Sequence, residues 1–142
     1  MEWAALIAWV VTAAGGFVLL AIWLSRGGMQ QGREPGSRIR PPLILGHFLL
    51  AATGLVIWII YVASDSDALA WIAFAILAVV ALLGWTMFAI WFQRRQRGAV
   101  HEAVDPGTPA EQRFPVPVVA AHGLLAVTTV VLVFLAAIGV GD

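Results

Sequence analysis

The 142-residue chain contains no cysteine. That excludes disulfides, thiolate metal sites, iron–sulfur clusters and covalent haem attachment through a Cys-x-x-Cys-His motif. Non-covalent haem stays open. Lysine is absent too, so all eight Lys/Arg positions hold arginine. Charged residues of either sign make up only 11% of the chain, and they are confined to short segments. None lies inside the long apolar stretches, so these lack the carboxylate on which ion-coupled transport usually depends. There is no Gly-rich phosphate loop, no His-Glu-x-x-His motif and no nucleophile elbow. Nothing supports nucleic-acid binding.

What is present is apolar length. Hydrophobic residues reach 61%, against roughly 45–50% in soluble domains. Charge-free stretches cover 3–25, 41–64, 68–93 and 114–141. Each satisfies the need for about 20 apolar residues in a transmembrane helix. Strands of a membrane barrel would be about half as long and would alternate polar with apolar. The expected fold is all-α: one integral membrane domain over 1–142, a four-transmembrane-helix bundle. The first stretch has no basic region ahead of it and exceeds a signal-peptide core in length, so it is read as a retained helix.

The arginines fall in two places. Arg26, Arg33, Arg38 and Arg40 separate stretches one and two; Arg94, Arg95, Arg97 and Arg113 separate stretches three and four. Glu2, Asp65, Asp67 and Asp142 mark the other side. The positive-inside rule predicts cytoplasmic arginine loops and external termini, in a bacterial plasma membrane. Abundant Ala, Gly, Val and Arg without lysine suggests a GC-rich bacterium. The loops carry Gly, Pro and Gln and read as irregular connectors. The segment 64–67 reads as a tight turn in which Asp65 or Asp67 caps the third helix. Trp3, Trp71, Trp23 and Trp91 lie near helix ends, where indoles favour the membrane interface.

The chain also reads as a duplication, with repeat one at 1–67 and repeat two at 68–142. Trp3, Gly16, Trp23 and Arg26 match Trp71, Gly84, Trp91 and Arg94. Pro42, His47 and Thr53 match Pro117, His122 and Thr128. Two tandem hairpins inserted the same way round predict a pseudo-two-fold axis along the membrane normal. His47 and His122 then lie at equal depth and face each other. Pro42 and Pro117 suit first helical turns.

The two histidines are the readily titratable groups of the apolar stretches, and such residues are functional hypotheses by default. A matched pair suggests axial ligation of one haem b. Gly46 and Gly123 flank the ligands, and Gly54, Ala51 and Ala126 lie on the ligand faces, where small residues would admit a flat ring. Arg38 and Arg113 are matched candidates for the propionates. The competing reading is structural: imidazoles hydrogen-bonded across helix interfaces, small residues for helix packing, and arginines as topology signals. A copper or zinc site is disfavoured, because two imidazoles alone make an incomplete set. His101 reads as a solvated loop residue. Small four-helix exporters resemble the chain in size and hydropathy, but only the histidines could carry their coupling charge.

The His-x-Leu-Leu-Ala helices, His47 to Ala51 and His122 to Ala126, resemble those of small four-helix b-type cytochromes and of actinobacterial membrane proteins. The likeness spans the chain in layout and departs from two-haem cytochromes, which use four such histidines. It implies a single haem and electron transfer linked to quinone or to a partner in a larger membrane complex or homo-oligomer. The alternative left open is a non-catalytic accessory or scaffold subunit without cofactor.

Overall fold

In a computed structural model the described residues are 1–31, 39–98 and 109–140. They form α1 (Glu2–Ser25), a one-turn α2 (Gly28–Gln31), α3 (Pro41–Ser64), α4 (Asp67–Gly98), a 3-10 turn (Ala110–Arg113) and α5 (Val116–Ala137). Four of these helices are long and apolar enough to cross a membrane. No strand occurs among the described residues. Prolines occupy the first two positions of α3 and the second of α5, where the missing N–H is no loss. α4 runs past its apolar part to carry Arg94 and Arg95 beyond it.

The turn between α3 and α4 departs from expectation in one detail. Asp65 ends α3 rather than capping α4. It adopts a left-handed conformation, φ 56°, and its N–H donates to the Tyr61 carbonyl at 2.8 Å. Asp is among the few residues that visit this region at modest cost. Asp67 is the first residue of α4.

The long helices form a ring in the order α1, α3, α4, α5, with α1 opposite α4 and α3 opposite α5. The most extensive packing is α3 on α4 and α1 on α5. Each of these pairs joins a helix of 1–67 to a helix of 68–142, so the two hairpins interlock. Leu124, Leu82, Ile7 and Trp3 point outward and are largely exposed. In water such a surface would be anomalous; in a bilayer it is what lipid requires.

Burial is layered along the bundle. Towards the end bearing the α3–α4 turn lies the main core, including Ala5, Trp9, Trp58, Tyr61, Leu77 and Val133. The Trp58 ring lies 4.7 Å from Tyr61 and 6.4 Å from Trp9 between centroids. The Thr12 and Thr129 hydroxyls meet at 2.9 Å at the edge of this core. At the arginine end a second buried layer holds Trp23, Ile39, Trp91, Ala110 and Glu111. Between the two, none of residues 13–22, 42–53, 81–90 and 116–128 is buried. Ten residues of helix span about 15 Å, so this middle layer without buried residues is thick.

Candidate cofactor site between His47 and His122

Both histidines sit in this middle layer, at the seventh residue of α3 and of α5. Nδ1 of His47 donates to the Val80 carbonyl of α4 at 3.0 Å. Nδ1 of His122 donates to the Thr12 carbonyl of α1 at 3.0 Å. Val80 and Thr12 are equivalent positions of the two repeats. Each histidine therefore reaches across to the other repeat, and the two contacts correspond. With Nδ1 as donor, a neutral ring is the tautomer whose Nε2 carries a lone pair, and Nε2 makes no hydrogen bond to a described residue. Backbone carbonyls that hold the far ring nitrogen are a common way to orient a ligating imidazole.

Glycines make the crossing possible, but not all of those expected. A Cβ at Gly16 would come 3.0 Å from Cε1 of His122, and one at Gly84 would come 3.2 Å from Cε1 of His47. These matched glycines seat the imidazoles. Gly46 and Gly123 have open space where a Cβ would stand, so they leave room but touch nothing. Gly54 lies against other residues. A Cβ there would meet the Trp9 ring at 3.0 Å and Ile76 at 3.2 Å, so Gly54 makes room for an indole of the main core. Ala51 and Ala126 lie one turn beyond the histidines and are partly covered.

Arg113 ends the 3-10 turn and is exposed. Arg38 and His101 lie outside the described residues. Trp3 and Trp71 are exposed near the opposite end, as interface residues should be, but Trp23 and Trp91 are buried inside protein. Trp23 is covered by Gly28, whose Cβ position would overlap Cε2 of the indole. Trp91 packs against Phe88, 5.9 Å away, with the Arg95 guanidinium over its ring. Glu111, buried in the 3-10 turn, had no signal in the sequence beyond being one loop acid among several.

Among the described residues no three His, Asp or Glu side chains gather to hold a bare metal ion. No protein-family model matches the chain, and no similar protein was found among curated proteins or solved structures.

Proposed function

We propose that the protein is a membrane b-type cytochrome, or the haem-bearing subunit of a membrane electron-transfer complex, with His47 and His122 as axial ligands of one haem b. The observation that carries this reading is a pair of imidazoles on opposite helices, each held by a backbone carbonyl of a neighbouring helix, in a layer without buried residues between two buried ones. Small residues line its approaches: Gly46, Ala51, Gly123 and Ala126. When bound, haem supplies reversible one-electron chemistry. The chain's own part is to hold the two rings at one level, fix their tautomer through the Thr12 and Val80 carbonyls, and exclude water. In the bacterial plasma membrane, with the arginine end cytoplasmic, the centre lies in the inner leaflet. A quinone or a partner's cofactor would carry electrons the rest of the way.

A second reading is a cofactor-free accessory subunit. It is favoured by the same two hydrogen bonds, which join the hairpins without any ligand. An absorption spectrum decides between them. Protein purified after expression with excess haem should show a Soret band that shifts on reduction, and its haem should extract into acidified organic solvent. His47→Ala and His122→Ala should each abolish the low-spin spectrum. Wild-type protein that stays colourless would leave the accessory reading.

A further inference from the structure

Two buried donors have no use in the fold. Nε1 of Trp23 and Nε1 of Trp91 make no hydrogen bond, although the side chains are only 1% and 5% exposed. Leaving a buried N–H unpaired is costly, and here the cost is incurred twice, at equivalent positions of the two repeats. A third such donor, Nε2 of Gln112, lies in the 3-10 turn. That turn packs against both α1 and α4, the helices that carry the tryptophans. The three donors therefore belong to one layer, at the arginine end.

Their register relates them to the histidines. Trp23 is seven residues past Gly16, which seats His122; Trp91 is seven past Gly84, which seats His47. Seven residues are close to two turns, so each indole shares a helix face with its glycine, about 10 Å nearer the arginine end. Between glycine and indole neither helix has a buried residue. Each repeat thus presents the same column: an imidazole notch, a stretch without buried residues, then an unpaired N–H.

Haem has the matching symmetry. An axis in its plane, running between the two propionates, exchanges its two faces and exchanges the propionates. A protein that ligates one face from each repeat would offer one donor to each propionate in the same way. Carboxylates accept hydrogen bonds from N–H groups, and a charged acceptor roughly doubles the strength of the bond.

We infer that Trp23 and Trp91 are the propionate-binding residues of the site, each donating its indole N–H to one haem carboxylate, with Gln112 as an additional donor. This rests on the haem reading and fixes the direction of the ring, with propionates towards the arginine end. It moves the propionate role from Arg38 and Arg113 to uncharged donors inside the bundle.

The test compares haemin with haemin dimethyl ester in detergent-solubilised full-length protein, following transfer of each to excess apomyoglobin. Wild type should hold haemin longer than the ester. In Trp23→Phe and Trp91→Phe, haemin should leave roughly tenfold faster or more per lost charge-assisted bond, while ester loss changes little. Replacing either tryptophan by benzothienylalanine keeps the shape without the N–H, and should give the same loss without lowering haem-free stability. Unchanged discrimination in properly folded variants would overturn the inference and leave the histidine ligation standing. A wild type that binds neither porphyrin would remove the haem reading itself, and the propionate assignment with it.

Discussion

At the scale of single residues, the glycines near the two histidines divide into those that touch an imidazole and those that do not. The histidines announced themselves because an ionisable ring inside an apolar helix needs a reason. The glycines that matter are not their chain neighbours. Residue i+1 on a helix lies about 100° round from i, so Gly46 and Gly123 border the rings without touching them. Gly16 and Gly84 touch them from other helices, and only packing reveals that. Their matching in the repeat was the one available signal. Gly54 is legible only through packing for a similar reason, since it shares a face with His47 and yet faces Trp9. These placements predict opposite outcomes for one kind of mutation. Gly46→Ala should be neutral or stabilising, by up to about 1 kcal/mol from helix propensity. Gly54→Ala should cost about 1–3 kcal/mol through overpacking against Trp9. Gly16→Ala and Gly84→Ala should displace the imidazoles and weaken haem retention. Thermal unfolding in detergent and haem titration check all four.

At the scale of elements, the apolar runs match α1 and α3 almost to the residue, because twenty-odd residues without charge have few alternatives in lipid, while α4 runs five residues past its run and α5 ends four residues before the end of its own. The pairing of helices was harder. Uniformly apolar helices carry little amphipathic signal about which face meets which neighbour. The interlocked arrangement, α1 on α5 and α3 on α4, depends on a few polar and small residues instead. Thr12 and Thr129 are the clearest. Each hydroxyl can donate either to its own helix, Thr12 to Ala8 at 2.7 Å and Thr129 to Leu125 at 2.8 Å, or to the other threonine at 2.9 Å. The equivalent positions in the other pair are Val80 and Gly54, so this bond is private to α1–α5. A double-mutant cycle with Thr12→Val and Thr129→Val should give a coupling of about 0.6 kcal/mol, and less than about 2, as for other interhelical bonds in membranes. No measurable coupling would mean that the i−4 carbonyls satisfy both hydroxyls by themselves. Asp65 offers a second test. Asp65→Gly should leave unfolding unchanged or raise its midpoint, since glycine adopts positive φ freely, whereas Asp65→Val should lower it.

At the scale of the whole molecule, the sequence predicts an orientation and the structure adds stratification. Every described arginine sits at one end of the bundle, so the arginine rule predicts that end inside. A single cysteine at Ser66 should react with a membrane-impermeant reagent on intact cells, and one at Ser37 should not; the reverse pattern would invert the protein. Stratification leads to the most demanding prediction. The bundle has a dense half, a middle without buried residues and a thin buried layer at the arginine end. Amide exchange follows local opening, and few buried contacts mean low local stability. In haem-free protein in detergent, amides of residues 13–22, 42–53, 81–90 and 116–128 should exchange faster than those beside Trp9, Trp58 and Val133. Haem should reverse the order in the middle layer, because a ligand that binds only the folded state stabilises it, by about 2.7 kcal/mol at a hundredfold excess over its Kd. The slowing should appear on all four helices at once, since α3 and α5 bring the imidazoles while α1 and α4 seat them. A change confined to one hairpin would mean that the repeats do not share a centre. Uniform exchange along every helix, with and without haem, would mean that the layering has no energetic counterpart, and the case for a cofactor between His47 and His122 would lose its main physical support.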